Sequence, residues 1–268
     1  MLPFVQPAAE PASTSFQQRR IYRTYLALVA SSALNGETGL GGKLLFAGGL
    51  HSLSRDLLFA ANVAGAASLA ASADPLEQRM AVREGVVDFV VNSLGEALRI
   101  LKNEVRKHQA VSVAVAADQR TVVAEMLERG VQPDLLPPRT WEDSQSTLRA
   151  GDWQRFLEQG SIAISGESTE EFPFAGWTVN GQHARWLPRL DLCAQSVLPP
   201  DELERHRWLR LAPRYLGRLA QRVHGVSMSA EELARFRDLA AAMVRDQAGN
   251  GPDVEPVLVT IQPFVPES

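Results

Sequence analysis

From Lys43 onward, short apolar runs alternate with longer stretches whose apolar residues return at helical spacing. Leu44-Leu45-Phe46-Ala47 runs into Gly48-Gly49, as a strand buried on both faces would. Ser52 or Ser54 can then cap a helix reaching about Ala66. Ser68–Ala73 is a second apolar run, so Leu57–Ala73 reads as a buried helix turning into a buried strand. Asp74-Pro75 supplies an N-cap and a first helical residue, and Gly85 the stop. Asp88-Phe89-Val90-Val91 makes a third strand. Ser93-Leu94-Gly95-Glu96 is a capping box ahead of an apolar stripe at Leu94, Ala97, Leu98, Leu101 and Val105. Val111–Ala116 is a fourth strand, Asp118 caps a helix ending at Gly130, and Asp134-Leu135-Leu136 is a short fifth strand.

Strands and helices alternating in this way predict parallel pairing through right-handed crossovers. The expected fold class is α/β: a Rossmann-like doubly wound parallel sheet over residues 17–138, in the order 3-2-1-4-5. A leading helix is expected over Gln17–Ala33, with Ile21, Tyr25, Leu28 and Val29 on one face. Residues 1–16, rich in Pro, Ala and Ser, read as a disordered tail and not as a signal peptide.

Pro137-Pro138 ends the repeating pattern, and residues 139–268 are expected to form a smaller, mainly helical region carrying a β-hairpin. The hairpin would run through Trp177–Trp186, around an Asn180-Gly181 type I′ turn. A basic, Leu-rich helical stretch comes after Pro199-Pro200 and is interrupted near Pro213. Ser229-Ala230-Glu231-Glu232 is a second capping box, opening a helix to about Asp246, and Val257–Ile261 is strand-like.

The 268 residues are 45% apolar and 22% charged, ordinary for a globular protein. A formal net charge of −4 gives no drive toward nucleic acid or anionic membranes. The lone Cys193 has no intramolecular partner, which fits a reducing cytoplasm. No metal-ligand spacing and no Gly-x-Ser-x-Gly elbow is present, so no metal site is expected.

The stretch Asp88–Arg99 is similar to the D-x-x-x-x-D-L-D-E-A-L segment of the urocanate hydratase family. Lys102-Asn103, Val111-Ser112-Val113 and Arg129-Gly130-Val131-Gln132-Pro133-Asp134 continue the resemblance, and Thr24-Tyr25, Gly42-Lys43 and Ala60–Ala66 extend it upstream. Over roughly residues 20–140 the chain resembles that family's Rossmann-like domain. The family adds water to urocanate with a tightly bound NAD as electrophile and is dimeric. The resemblance therefore implies NAD as cofactor and a homodimer.

The resemblance also marks where the family's cofactor contacts would fall, and most of those residues differ here. The family's glycine-rich G-L-G-G-M-G-G-A-Q becomes Gly48-Gly49-Leu50-His51-Ser52-Leu53-Ser54-Arg55-Asp56, with side chains where backbone amides would approach a pyrophosphate. At the end of the second strand, Ser72 replaces a ribose-binding Glu and Glu77 replaces an Arg, while Asp74-Pro75 remains. Ala117-Asp118-Gln119 stands for G-N-A. Arg139-Thr140-Trp141-Glu142-Asp143 keeps only the Thr of Q-T-S-A-H. The candidate cofactor or ligand residues are thus Gly48, Gly49, His51, Ser52, Ser54, Arg55, Ser72, Asp74, Asp118 and Thr140. At His51–Arg55 the alternatives are an altered anion or nucleotide site and a solvated helix cap. At Asp74 they are a ribose contact and an ordinary N-cap.

Leu187-Pro188-Arg189-Leu190-Asp191-Leu192-Cys193 is faintly similar to the L-P-x-R-x-C around the family's catalytic cysteine, which makes Cys193 the one catalytic candidate. A buried structural cysteine is the competing reading. Arginines at 205, 207, 210, 214, 218 and 222 read as a solvated helix face or as a partner interface. The leading expectation is a urocanase-like Rossmann protein without hydratase activity, with at most an altered nucleotide or small-ligand pocket. One alternative is an NAD-binding lyase using non-standard contacts. Another is an interaction scaffold acting through the Arg-rich helices.

Overall fold

Short, fully apolar strands need partners on both edges and cover on both faces. In the computed structural model, which describes residues 9–31, 39–138, 149–165, 172–247 and 259–263, they find both. The chain divides into two units, Arg23–Thr169 in one and Met1–Tyr22 with Glu170–Ser268 in the other.

The first unit holds a six-stranded parallel sheet built from β1 (Leu44–Gly48), β2 (Ala67–Ala71), β3 (Phe89–Val91), β4 (Val111–Val115), β5 (Leu135–Leu136) and β6 (Ile162–Ala163). Its order is β3-β4-β2-β1-β5-β6. The expected order 3-2-1-4-5 is corrected on this point: β4 lies between β2 and β3. The two fully buried five-residue strands, β2 and β4, pair along their whole length, and the three-residue β3 takes the edge, with Phe89 49% exposed. Hydrophobic alternation is the same in either order, so the sequence carries no signal for it. The unit also continues past Pro138, where the sequence pattern sets a boundary, through α6 (Ala150–Glu158) and β6.

Period-2 alternation divides the sheet's side chains between two faces. Phe46, Leu69, Val113 and Leu136 lie in one core with α4 (Leu94–Arg106), α5 (Gln119–Glu128) and α6. On the opposite face Ser68, Ala70, Ser112 and Ala114 are small, which lets α2 (Ser52–Ala64) approach closely. There the Ser68 hydroxyl donates to Ser112 Oγ at 3.1 Å, and Ser112 donates to Asn62 Oδ1 at 2.7 Å. A buried hydroxyl is tolerated only when its bonding is completed, and this chain of three completes it.

Local chemistry sets the helix ends. Asp74 accepts from Leu76 N at 2.8 Å to start α3 (Pro75–Glu84), and Asp118 accepts from Arg120 N at 2.9 Å to start α5. Ser93 accepts from Glu96 N at 3.3 Å, but Glu96 reaches back to Asn92 N at 2.9 Å, one residue before the cap.

In the second unit, an antiparallel sheet of order β8-β7-β9 joins β7 (Phe174–Val179), β8 (Val223–Ser227) and β9 (Val259–Pro263). The expected hairpin about Asn180-Gly181 is corrected. β7 leaves that turn into a helix, α7 (His183–Val197), and its antiparallel partners come from further along the chain. Trp186, Leu187, Leu190 and Ala194 are buried at helical spacing, and this 3.6-residue period outweighs the turn signal. α8 (Leu203–Tyr215) carries Pro213 in its last turn, and α9 (Ala230–Gln247) opens on the Ser229–Glu232 capping box, closed by bonds of 2.8 and 3.2 Å. The first helix, α1 (Ala9–Ser31), starts eight residues before Gln17, so Ala9–Phe16 is helical and not tail. Its Gln18 and Tyr22 belong to this unit, where Tyr22 shares a 2.7 Å hydrogen bond with Ser227 Oγ.

Candidate functional site

An open parallel sheet offers a ligand crevice beyond the C-terminal ends of its strands, where successive connections diverge. Here β2 leads outward to β3 through α3, whereas β4 leads back past β1 to β5 through α5. The end of β1 lies alongside, and its loop begins at Gly48.

Gly48 has φ of +81°, a conformation that costs any residue with a Cβ. A Cβ placed there would lie 2.9 Å from Gln119 Nε2, and one on Gly49 would lie 3.2 Å from the His51 ring and 3.3 Å from Gln119 Oε1. The open faces of both glycines, the surface a phosphate would approach, are therefore covered by the Gln119 amide and the His51 imidazole. Gln119, the first residue of α5, is 6% exposed.

His51 precedes α2 in extended conformation without capping it. Ser54, 1% exposed, donates its hydroxyl proton to Ala47 O at 2.8 Å and so accepts from His51 Nε2 at 2.9 Å. This order of donors leaves Nδ1 as the unprotonated, accepting nitrogen. Burial lowers the His51 pKa, against an opposing pull from the Glu77 carboxylate, and favours the neutral ring. Ser52 is exposed at the first turn of α2. Arg55 is held by the protein itself: its Nε donates to Leu50 O within the loop at 2.7 Å, and NH1 pairs with Glu84 at 2.7 Å.

At the end of β2, Ser72 donates to Glu77 Oε2 at 2.6 Å and accepts from Asp74 N at 3.2 Å. Asp74 and Asp118 each use a carboxylate oxygen on one first-turn amide, Leu76 N of α3 and Arg120 N of α5, as ordinary N-caps do. Thr140 lies outside the described residues. The structure thus brings Gly48, Gly49, His51, Ser54 and Ser72 together, holds Arg55 against Glu84, and places Asp74 and Asp118 as caps. Sequence reasoning missed Gln119 and Glu77 as members of the cluster. Both stand at positions where the sequence departs from the family's motifs, and Glu77 falls one helical turn past the Asp74 cap, which turns it back to the strand end.

The second unit holds the remaining candidates. Cys193 lies on α7 with Sγ 4.0 Å from Met243 Sδ, and burial pushes its thiol pKa up, away from the reactive thiolate. His183 and Trp186 sit on α7 and not on a hairpin. Of the arginine run, Arg205 and Arg207 are 3% and 7% exposed, which corrects the reading of a solvated face for those two; Arg210, Arg214, Arg218 and Arg222 are exposed. Arg205 donates twice to Glu232, at 2.9 and 3.1 Å, and also to Glu202 and to Ser227 O. A second buried group has no signature in the sequence: Asp191 accepts from Trp177 Nε1 at 3.0 Å and from His224 Nδ1 at 2.7 Å, while His224 Nε2 bonds Ala220 O at 2.7 Å. Both ring nitrogens of His224 are occupied, so this pair is a structural tie and not a proton-transfer dyad. Among the described residues, no group of three or more His, Cys, Asp or Glu could hold a metal ion. None of their helices is long and apolar enough to cross a membrane.

Sheet, helices and crevice define a Rossmann-like α/β domain, joined in the same chain to an antiparallel sheet with helices. Residues 18–143 match the family model described as the urocanase Rossmann-like domain.

Proposed function

We propose that the protein is a urocanase-type Rossmann-like protein that neither hydrates urocanate nor holds NAD, and that it keeps an altered small-ligand crevice at the ends of β1, β2 and β4. One observation carries the reading: the faces of Gly48 and Gly49 are occupied by the protein's own Gln119 and His51 side chains. A pyrophosphate needs bare amides and a positive field at this place. The residues present do not fit it, since the nearby cation Arg55 is paired with Glu84 and the His51 ring is kept neutral. The Cys193 thiol, with its pKa raised by burial, also argues against a catalytic cysteine. A single cysteine supports a reducing cytoplasm as the compartment.

The test is direct assay. Purified protein is incubated with urocanate, with and without added NAD, and urocanate is followed by its ultraviolet absorbance. No loss beyond the protein-free control is expected. Steady turnover, in either condition, would overturn the proposal.

A further inference from the structure

A helix packed on a sheet turns its large apolar side chains inward, and α3 does the reverse. Among its residues only Ala81 is buried, whereas Leu76, Met80 and Val82 are 56%, 40% and 49% exposed. In the same unit α4 buries Leu94, Ala97, Leu98 and Leu101 and follows the rule. Apolar residues gathered on an outer helix face oppose the hydrophobic effect unless something covers them. Other exposed large apolar side chains among the described residues occur one to an element, at Phe16, Phe89, Ile162, Leu192, Leu203 and Leu239. Single exposed residues are ordinary; three on one ten-residue helix are not.

Charge defines what the cover must be. Leu76 and Met80 stand one helical turn apart, with Arg79 and Arg83, also one turn apart, along their flank and Val82 next to Arg79. Both arginines are exposed, and neither makes a hydrogen bond or an ion pair among the described residues. The two carboxylates of the helix lie on the opposite flank and are engaged, Glu77 by Ser72 and Glu84 by Arg55. The outer face is thus an apolar ridge bordered by uncompensated positive charge. A second copy of the chain covers it poorly. In a two-fold pairing of α3 with itself run antiparallel, each flank meets its own image, and the arginines face like charges. Run parallel, they meet the flank whose carboxylates are already taken.

We propose that the outer face of α3, formed by Leu76, Arg79, Met80, Val82 and Arg83, docks an amphipathic helix of another protein whose apolar stripe is bordered by carboxylates. The stripe covers the three apolar side chains, as in other helix-on-helix recognition, and the guanidinium forks take the carboxylates. The helix is only about 15 Å long, so the contact is small and the association weak and reversible. None of these residues belongs to the cluster around Gly48, so the docking surface does not depend on how the crevice is read.

The experiment is selection on the full chain from a displayed library of amphipathic helical peptides, with a fixed leucine stripe and flanking positions randomised among Glu, Lys, Gln and Ser. Glu is expected to be enriched at the flanks. The recovered peptides should bind the double variants Leu76→Ser/Met80→Ser and Arg79→Glu/Arg83→Glu at least about tenfold more weakly than wild type, as truncation at the centre of an interface does. All four positions are exposed, so both variants should melt near the wild-type temperature. Recovery of no peptide, enrichment of Lys at the flanks, or binding unchanged by L76S/M80S overturns the proposal. So does sedimentation of the wild-type chain as a dimer that L76S/M80S converts to monomer, which assigns the face to a second copy.

Discussion

Gln119 stands against Gly48: its Nε2 lies 2.9 Å from where a Cβ on that glycine would be. One residue from the start of α5 thereby closes the loop after β1, and the closure couples the fate of the crevice to a helix cap. Asp118 fixes the first turn of α5 through Arg120 N, and that turn aims Gln119 at the loop.

Replacing Asp118 by Ala removes the cap and should cost about 1 kcal/mol. The loss is expected as a lower urea midpoint with an unchanged slope. Asp74→Ala, which uncaps α3, should behave alike. A loss of several kcal/mol at either position would mean that the carboxylate does more than cap.

Glu232 joins α9 to the buried guanidinium of Arg205. Burial alone would raise its pKa, but hydrogen bonds from Arg205 and from the Ser229 amide override that and hold it below the usual carboxylate range. A carboxylate depressed in the folded state stabilises fully above its unfolded value of about 4.3, and loses that contribution as pH falls through the folded value. Glu232→Gln should therefore be less stable than wild type at pH 7, by about 1–3 kcal/mol, because Arg205 loses a charged hydrogen-bond partner and keeps only the more exposed Glu202. The gap between the two proteins in urea midpoint should narrow as pH is taken below about 4. A gap independent of pH would contradict the role assigned to the ion pair.

Asp191→Asn keeps the shape of the side chain but removes the charge that holds His224 and Trp177. Destabilisation of about 2–4 kcal/mol is expected from a broken buried network. The near-ultraviolet circular dichroism should change as well, since Trp177 loses its partner. An unaltered spectrum and midpoint would show the tie to be dispensable.

Gly225 faces Gly176 across the pairing of β7 and β8, and a Cβ there would come within 2.5 Å of the Phe174 ring and 2.7 Å of Ala175 O. The backbone oxygen cannot move aside without parting the strands. Gly225→Ala should cost about 3 kcal/mol or more, as overpacking at a rigid contact does. The variant is expected to lose its cooperative thermal transition or to accumulate as insoluble protein.

Much of this architecture is legible in the chain. Caps at Asp74, Ser93, Asp118 and Ser229 are local chemistry, and each starts a helix where the residues indicate. Apolar runs such as Val111–Val115 mark buried strands because burial on both faces leaves no polar alternation. The part that the pattern omits is long-range. The insertion of β4 beside β2 depends on pairing between residues some forty positions apart, such as Ser68 and Ser112. The Asn180-Gly181 pair resembles a hairpin turn, but the apolar period of Trp186, Leu187, Leu190 and Ala194 makes the next segment a helix. Within the candidate site, the glycines and His51 are visible as departures from a family motif. Gln119 and Glu77 are visible as departures too, but what they do follows only once α5 and α3 have been placed, because their meaning lies in the groups they face.

Closure of the crevice to a dinucleotide is the claim on which the rest depends, and calorimetric titration of the purified chain with NAD tests it most directly. No heat of binding is expected with NAD at concentrations up to about 1 mM, where a bound state would be favoured by no more than roughly 4 kcal/mol. Saturable binding in the micromolar range, abolished by Gly48→Val, would contradict the claim.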